Sequence, residues 1–296
     1  MLSRAVVIVS VLLAAVLAGH GLLPPLGGAT TILESVLPWL GWLVPILLVV
    51  ALISRSVPAI VAALVPGVVW AAMFGPTALA SSPGGQADLR VGTVNVGVVN
   101  NSSGLAVKTV AANLDVLAAQ ELTPGGPAAK QLNAMFDREP ATSSTVGLWS
   151  RFPIVSWKGI DPGLGWKRGL RAVLRTPKGE VTVYVVHLGS ARPGHTEQRD
   201  RSLATLRKLI DADTSKRILV LGDLNTATTD RGLSGLTPPL LNAQTEAGDG
   251  FGFTWPSSFP VTRPDHILYR GMTAVSAGVA PAMGSDHRAA IAGLRI

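Results

Sequence analysis

Three long apolar stretches in the first 80 residues constrain the fold of this chain most, because side chains of this kind are more stable in a lipid bilayer than in water. They are Ala5–Leu23, Val36–Ile53 and Pro58–Ala78, and none of them contains Lys, Arg, Asp or Glu. Each is close to the roughly 20 residues that a helix needs to cross a bilayer. The sequence therefore predicts a membrane anchor over residues 1–80, made of three transmembrane helices.

The first stretch also has another interpretation. Arg4 followed by an apolar run that ends in small residues is typical of a cleaved signal peptide. Two apolar stretches remain in either case. The lipid bilayer is thus a predicted partner under both interpretations.

The few charges of this region predict its orientation. Arg4 precedes the first stretch and Arg55 lies between the second and the third, whereas residues 24–35, between the first and the second, contain no Lys or Arg. Positive charges favour the cytoplasmic side of a membrane. The pattern predicts a multi-pass protein of the cell membrane whose domain after the third helix is extracytoplasmic.

The remainder of the chain has a different composition. Residues 81–90 are rich in Pro, Gly and Ser and are predicted to form a linker, and residues 91–296 form a predicted second domain. There, strand-like segments such as Leu89–Val99 and Glu180–Ser190 alternate with helix-like ones such as Thr196–Asp213. This order favours an α/β sandwich of sheets covered by helices. The absence of cysteine excludes thiolate metal sites.

Polar residues recur where the predicted strands end. Taken alone, each has an ordinary explanation, such as a turn residue, a helix cap or a buried histidine with local hydrogen bonds. Their common position favours a shared site, because sites in layered sheets tend to form at strand ends. The residues are Asn95, Gln120, Glu121, His187, Asp223, Asn225, Asp265, His266, Asp286 and His287.

In chain order these residues form the series N…QE…H…GDxN…DHIL…SDHR. The series resembles the endonuclease/exonuclease/phosphatase superfamily and covers residues 89–296. The resemblance implies a four-layer α/β sandwich of the DNase I-like type, preceded here by the three membrane helices. It also implies metal-dependent hydrolysis of a phosphoester, without naming the substrate.

The resemblance implies a Mg²⁺ site, with Mn²⁺ as a second candidate. Mg²⁺ takes oxygen ligands and is often held by one or two carboxylates, so Glu121 is the first candidate ligand, with Asn95 beside it. By family resemblance, Asp286 is a second carboxylate on the metal side. Gly97 stands where the abasic-site nucleases of the family carry an aspartate, which favours a single metal ion.

The chemistry of phosphoester hydrolysis assigns roles to the GDxN segment. Water must be activated while charge spreads over the phosphoryl oxygens. Asp223 is the candidate that orients and deprotonates this water, and Asn225 is the candidate donor to a phosphoryl oxygen. Residues two apart on an extended strand point to the same side, so both can reach one phosphate.

The histidines complete the predicted site. His187 and His287 are expected to flank the phosphate. By family resemblance, Asp265 pairs with His287 and favours its imidazolium, which stabilises charge or protonates the leaving oxygen. His266 is a candidate for either packing or catalysis.

The substrate is left open by the sequence. The part of the chain after residue 80 holds 23 basic and 17 acidic residues, and this formal net charge of +6 suits nucleic acid, an anionic lipid surface or any polyphosphate. Two basic runs, Gly165–Lys178 and residues 190–201, are either a substrate rim or ordinary solvated surface. A membrane anchor favours a lipid-linked or cell-envelope phosphate as the substrate. The alternatives are a surface nuclease acting on extracellular DNA and a non-catalytic phosphate-binding module; no protein partner is inferred.

Overall fold

The computed structural model describes residues 1–97, 103–192 and 194–296 of the chain. Three of its helical stretches are long and apolar enough to cross a membrane: Leu2–Leu22, Ala29–Ile53 and Val57–Ala78. They contain the helices α1 (Leu2–Gly19), α2 (Ala29–Val36), α3 (Leu43–Ile53) and α4 (Val57–Ala78), with 3₁₀ turns at His20–Leu22 and Leu37–Trp42. The three predicted stretches are thus helical in the structure.

The second stretch differs from its prediction. It becomes helical at Ala29 rather than at Val36, and the 3₁₀ turn separates α2 from α3. Pro38 lies in the first turn of this 3₁₀ segment, where its missing N–H interrupts the α-helical hydrogen bonds. The indole N–H of Trp70 in α4 donates to the Pro38 carbonyl at 2.8 Å, which fastens the interruption to the neighbouring helix.

The rest of the chain forms two six-stranded mixed sheets. The strands are β1 (Leu89–Asn95), β2 (Val116–Gln120), β3 (Ala141–Ser143), β4 (Val146–Ser150), β5 (Ile154–Ile160), β6 (Gly169–Thr176), β7 (Gly179–His187), β8 (Ile218–Asp223), β9 (Leu241–Asn242), β10 (Asp265–Arg270), β11 (Thr273–Ala280) and β12 (Ala289–Arg295). The first sheet has the order β11-β12-β1-β2-β4-β3 and the second the order β5-β6-β7-β8-β10-β9.

Helices cover the outer faces of both sheets. They are α5 (Ser103–Ala111) and α6 (Pro127–Met135) on the first sheet, and α7 (Glu197–Asp211) on the second, with the short α8 (Ala243–Ala247) near β11. Leu203, Leu206 and Ile210 of α7 are buried against the second sheet, as their helical spacing predicts. A third core fills the space between the sheets. The predicted four-layer α/β sandwich is confirmed.

Strand register brings the predicted polar residues to one edge of the sandwich. Asn95 is paired with Gln120 across β1 and β2. Asp223 is paired with His187 in the parallel neighbour β7 and with Asp265 in the antiparallel neighbour β10. Residues directly opposite each other share a face of the sheet, so their side chains converge. The first strand ends at Asn95, and the last residues of its predicted range, 98 and 99, lie outside the described residues.

Helix α2 lies directly against the sandwich. The buried carboxylate of Glu34 accepts hydrogen bonds from Arg231, at 2.6 Å from Nε and 3.0 Å from the backbone N. Just beyond α2, the indole N–H of Trp39 donates to the Val261 carbonyl at 2.8 Å. The first part of the second apolar stretch, residues 29–42, therefore packs on the surface of the second domain.

The predicted linker is also attached to the sandwich. The backbone N–H of Ser82 donates to the Asp249 carboxylate at 2.6 Å, and its hydroxyl donates to the Val275 carbonyl at 3.1 Å. The sandwich is thus held to the apolar helices at α2 as well as through the chain connection.

Candidate active site

Asp223 lies at the centre of the strand-end cluster. Its Oδ2 accepts a hydrogen bond from Nδ2 of Asn95 at 3.0 Å, and its Oδ1 accepts one from the backbone N–H of Asn225 at 2.8 Å. Gly222 precedes it because a Cβ there would collide with the carbonyl oxygen of Val186. The apolar strand therefore stops at a glycine, and the next side chain is a buried carboxylate with fixed donors.

The surroundings of Asp223 favour its protonated form. Burial is the main cause, and the nearby charge of Asp265 adds to it, so that the pKa of Asp223 is raised above its ordinary value. The two neighbouring histidines and the N–H of Asn225 act in the opposite direction. A carboxylate with a raised pKa is a stronger base, which suits proton removal from water.

A hydrogen-bonded pair of residues faces Asp223. Nδ1 of His287 lies 2.8 Å from Oδ2 of Asp265, which also accepts a hydrogen bond from the hydroxyl of Thr254 at 2.6 Å. Nε2 of His287 is turned toward Asp223, 4.0 Å from its Oδ2. The carboxylate therefore fixes the ring with one nitrogen directed at the centre of the site.

His287 is held in its charged form. Burial is the largest single effect and lowers its pKa, but the charge and hydrogen bond of Asp265, with the charges of Asp223 and Asp286, outweigh it. The pKa of His287 is raised to about 10 as a result. At neutral pH this side chain is an imidazolium that can donate from Nε2.

His187 has the opposite character. Its Nε2 lies 3.6 Å from Oδ2 of Asp223 and 3.7 Å from Oε1 of Glu121, while Nη2 of Arg168 lies 2.7 Å from its Nδ1. Burial lowers the pKa of His187 to about 4, with the charge of Arg168 adding to this effect and that of Asp223 opposing it. The site thus holds one neutral and one charged imidazole.

Two non-glycine residues of the site have left-handed backbone conformations. Glu121 has a φ of 58° and Asn225 a φ of 48°. Such values are uncommon outside glycine and cluster at functional sites, where the surrounding structure holds them. In both cases the chain turns sharply after a buried strand, which places the side chain at the edge of the sheet.

The two carboxylates of this cluster fit a divalent cation, whereas His287 as an imidazolium does not bind one. Ligand atoms of Asp223, Asp265 and His287 lie within 4.8 Å of one another. Among the described residues, Oδ1 of Asp265 is a buried carboxylate oxygen without a hydrogen-bond partner. Buried carboxylates need compensation by charge or by hydrogen bonds, and a hard cation supplies it.

The structure brings most of the predicted metal ligands to this cluster. Asn95 and Glu121 contact it through Asp223 and His187, whereas Asp286 lies at its exposed rim and accepts a hydrogen bond from the indole N–H of Trp255 at 3.3 Å. The triad of ligand atoms within 4.8 Å includes none of these three residues. The assignment of Glu121, Asn95 and Asp286 to a metal stays a prediction.

Three residues that sequence reasoning did not assign to the site contact its members. Arg168 lies on His187, Thr254 donates to Asp265, and Ser285 donates from its hydroxyl to the Asn95 carbonyl at 2.6 Å. Ser285 stands in the SDH motif and Arg168 in a predicted basic run, so each had a weak signal. No motif of the sequence contains Thr254.

The remainder of the basic run serves other contacts. Arg171 forms an ion pair with Asp213 at 2.7 Å, and Arg175 is exposed, 4.0 Å from Glu180. Among these three arginines, the only site contact in the described part of the chain is that of Arg168.

His266 lies behind the site in a closed hydrogen-bond arrangement. Its Nε2 donates to the Thr226 carbonyl at 2.8 Å, and its Nδ1 lies 3.2 Å from Nδ2 of Asn242. Burial, with the charge of Arg263 adding to it, lowers the pKa of His266 to about 3. These contacts favour packing over catalysis, the two alternatives that the sequence left open.

A cavity of about 490 Å³ opens over the cluster. One side is formed by site residues, among them Asn225 and His287, and by Trp255. The other side is formed by α2, through Thr31, Ile32, Ser35 and Val36. The candidate active site is therefore a cleft between the sandwich and α2, the first part of the second apolar stretch.

Comparison with known proteins gives one family and many similar folds. The model of the Endonuclease/Exonuclease/phosphatase family matches residues 92–287. No curated protein matches the sequence. The match to the family spans all the polar strand ends from Asn95 to His287.

Solved structures cover the sandwich almost completely. A conserved protein of unknown function from Enterococcus faecalis V583 has a TM-score of 0.58 at 14% identity, over 70% of this chain and 99% of that chain. TDP2 of D. rerio, complexed with single-strand DNA product, has 0.57 at 17%, over 70% and 99%. The mannosyl-6-phosphatase Bt3783 of Bacteroides thetaiotaomicron VPI-5482 has 0.56 at 15%, over 70% and 100%. At such identities the likeness shows a common fold.

Proposed function

We propose that this chain, which belongs to the endonuclease/exonuclease/phosphatase family, is a membrane-anchored enzyme that hydrolyses a phosphomonoester or phosphodiester of a lipid-linked or cell-envelope substrate. Members of the family are phosphoesterases and nucleases. The observation that carries the proposal is the position of Asp223. It is a buried carboxylate with fixed donors, and Nε2 of the charged His287 and Nε2 of the neutral His187 lie 4.0 Å and 3.6 Å from its Oδ2.

The arrangement supports in-line attack by water. Asp223 accepts the proton of a water molecule, because its raised pKa makes it a stronger base than a free carboxylate. Asn225 uses one amide N–H for the Leu188 carbonyl at 3.1 Å, and the second N–H of the same amide can reach a phosphoryl oxygen. Nε2 of His187 lies 3.6 Å from Oδ2 of Asp223, and from there it orients the water or the phosphate.

His287 acts at the leaving group. Its Nε2 carries a proton at neutral pH and either stabilises the charge of the phosphoryl oxygens or protonates the departing oxygen. Asp265 contributes by position, since its hydrogen bond to Nδ1 fixes the orientation of the ring. Hydrolysis then leaves a phosphate on one product and a hydroxyl on the other.

A divalent cation, Mg²⁺ or Mn²⁺, belongs to this proposal. Enzymes of the family generally depend on such ions. Glu121, Asn95 and Asp286 are the proposed ligands, and the oxygen of Asp265 without a hydrogen-bond partner in the described residues adds an acceptor nearby. Bound there, the cation would neutralise negative charge on the phosphoryl oxygens.

The membrane anchor favours a lipid-linked substrate. Residues 1–80 supply three apolar helices, and residues 81–90 join them to a domain of residues 91–296. We place Arg4 and Arg55 on the cytoplasmic side, so that the active site lies outside the cytoplasm. A site held next to a bilayer meets lipid head groups continuously and free DNA only by collision.

Nucleic acid is the second candidate substrate. The solved structure of TDP2 contains single-strand DNA product, and the overall positive charge of this chain suits a polyanion. A non-catalytic phosphate-binding module is the third candidate. Such a module has no need of a buried carboxylate placed to activate water.

The test uses the purified full chain in detergent with Mg²⁺. Plasmid DNA, bis-p-nitrophenyl phosphate and extracted envelope lipids are offered separately, and Asp223→Asn serves as the catalytic control. We expect hydrolysis of lipid phosphoester and a kcat lowered about 10²-fold or more in Asp223→Asn with little change in KM, because the charge of Asp223 acts mainly in the transition state. Preferential cleavage of DNA would establish the nuclease, and equal rates for both proteins on every substrate would refute the enzyme.

A further inference from the structure

A second cavity lies where the apolar helices meet the sandwich. Its volume is about 480 Å³, and every described residue that lines it is apolar or aromatic. The lining residues are Pro38, Trp39, Gly41, Trp42, Phe251 and Phe253, with Pro45 and Trp70 at its edge. We call this cavity the aromatic pocket.

The aromatic pocket is open and built to stay apolar. The indole nitrogens of Trp39 and Trp70 donate to the carbonyls of Val261 and Pro38, both at 2.8 Å, so the faces of these rings are left for apolar contacts. Trp39 stacks on Phe253 with ring centroids 5.8 Å apart. Trp42, also in the lining, is 69% exposed.

The aromatic pocket is connected to the active site by a short piece of chain. Phe253 lines the pocket, and the next residue, Thr254, donates its hydroxyl to Asp265 of the Asp265–His287 pair. The Cα atoms of Phe253 and Thr254 are about 3.8 Å apart, as in any two consecutive residues, so the pocket lining and this contact are neighbours along the chain. Trp39 of the pocket lining donates to the carbonyl of Val261, which lines the catalytic cleft, so the two cavities adjoin at this hydrogen bond.

A row of apolar residues runs from one cavity to the other. Ile32 and Val36 line the catalytic cleft, and Trp39 lines the aromatic pocket. Ile32 and Val36 are four residues apart and share one face of α2, and Trp39 lies in the 3₁₀ turn that follows. Ile32 is 47% exposed, although apolar side chains of this size gain from contact with another apolar group.

We propose that the aromatic pocket binds the hydrocarbon chain of a lipid phosphoester whose phosphate lies at Asp223 and His287. The chain follows Ile32 and Val36 out of the cleft and ends against Trp39 and Trp42. This inference rests on the proposed hydrolase function and adds where the non-reacting part of the substrate binds. It makes α2 and the 3₁₀ turn that follows it a specificity-determining part of the site.

The test compares two substrates that differ only in their chain. Dodecyl p-nitrophenyl phosphate and methyl p-nitrophenyl phosphate have the same scissile bond and the same coloured leaving group, and the dodecyl chain is long enough to reach from the cleft to Trp42. The full polypeptide chain, reconstituted in lipid nanodiscs with Mg²⁺, should have a kcat/KM about a hundredfold higher for the dodecyl ester, since about four buried methylenes suffice for such a ratio. Equal values for the two esters would overturn the inference.

Variants locate the effect. Trp42→Ser should lower the dodecyl-to-methyl ratio of kcat/KM about tenfold, mainly through KM for the dodecyl ester, because it removes one aromatic wall of the pocket. Trp157→Ser is the matched control, since Trp157 is an exposed tryptophan (49%) on β5, outside both cavities. If the ratio of kcat/KM for the two esters is the same in both variants, the hydrocarbon chain of the substrate binds outside the aromatic pocket.

Photolabelling of the unaltered chain gives a second measurement that does not require a variant to fold. A dodecyl phosphate with a diazirine at the end of its chain should label peptides that contain residues 38–45 and 251–253. Labelling confined to the outward faces of α1 and α4, as for any bilayer lipid, or a crosslink between two copies of the chain, would overturn the inference. Hydrolysis of neither ester by the unaltered chain, or equal rates in Asp223→Asn, would instead refute the proposed function.

Discussion

The side chains of His287 and Asp265 are joined by a 2.8 Å hydrogen bond that crosses from one sheet of the sandwich to the other. His287 lies just before β12 of the first sheet, and Asp265 begins β10 of the second. The pair therefore forms only when the two sheets are stacked in their correct positions. Thr254, on the loop beside them, donates its hydroxyl to the same oxygen, Oδ2 of Asp265, at 2.6 Å.

Asp265→Asn should shift the alkaline limb of the pH–rate profile to lower pH. His287 is charged below its pKa, which Asp265 helps to raise to about 10, so activity is lost as the pH rises through that value. The variant removes the neighbouring charge, and the pKa falls toward its ordinary value of about 6.5. Measuring kcat from pH 6 to 10.5 tests this. Asp211→Asn, an exposed carboxylate on α7, is the control that should leave the limb in place.

Alanine variants of the same pair should be strongly non-additive. His287→Ala and Asp265→Ala should each lower kcat/KM by about 10² or more, and the double variant should be little worse than either. The reason is that Asp265 acts through the ring of His287. A double-mutant cycle of kcat/KM measures the coupling, and two losses that simply multiply would show that the residues act separately.

Glu121→Gln should remove Mg²⁺ dependence together with activity. The variant keeps the shape of the side chain but loses the charge that is proposed to hold the cation. In the unaltered chain, Mg²⁺ at about 100 times its Kd should stabilise the fold by roughly 2.7 kcal/mol, seen as a rise in Tm, and EDTA should reverse it. We expect this rise to shrink in Glu121→Gln and to persist in Glu180→Gln, which alters an exposed carboxylate. Undiminished turnover in EDTA would refute a metal-dependent mechanism.

Arg168→Gln should lower kcat/KM by about tenfold to a hundredfold, because a guanidinium near the phosphate stabilises developing negative charge. The structure places its Nη2 against the ring of His187, whose pKa should rise once this positive charge is removed. Arg175→Gln, an exposed neighbour in the same basic run, is the matched control. Equal effects of the two variants on kcat/KM would mean that only general surface charge matters.

A reporter fused after Ile296 should behave as an exported protein. In the proposed orientation Arg4 and Arg55 lie on the cytoplasmic side, because positive charges favour that side, and the sandwich lies outside the cytoplasm. Paired fusions of alkaline phosphatase, active only after export, and of a cytoplasm-active reporter distinguish the two orientations. Activity of the cytoplasmic reporter alone would reverse the orientation and make inner-leaflet lipids or nucleotides the candidate substrates.

The fold and the central part of the site were predictable because their signals are local. A strand that ends in Gly-Asp-x-Asn predicts a buried carboxylate beside an amide, and the apolar spacing of Leu203, Leu206 and Ile210 predicts a helix on a sheet. The structure confirms the strand, the helix and the layers they form. The register of β8 and β10 then completes the central part of the site, because it places Asp265 opposite Asp223.

The unpredicted parts of the site depend on contacts between distant residues. Thr254 contributes through Asp265, and no spacing in its own segment marks it. Arg168 has the same composition signal as Arg171 and Arg175, and only the path of β6 and β7 decides which arginine meets His187. The contact of Glu34 with Arg231 joins residues 197 positions apart, so the wall that α2 adds to the cleft leaves no local trace in the sequence.

Helix α2 and Ser82 hold the sandwich at two separate places, through Arg231 and Asp249. A domain attached at a single point can rotate relative to the helices, whereas a domain attached at two points keeps its position and orientation. With the apolar helices in a bilayer, the opening of the cleft would keep a constant distance and angle to the membrane surface while the protein diffuses laterally. Enzyme and lipid would then find each other by a search in two dimensions, and encounter rates would follow the surface density of the substrate rather than its bulk concentration.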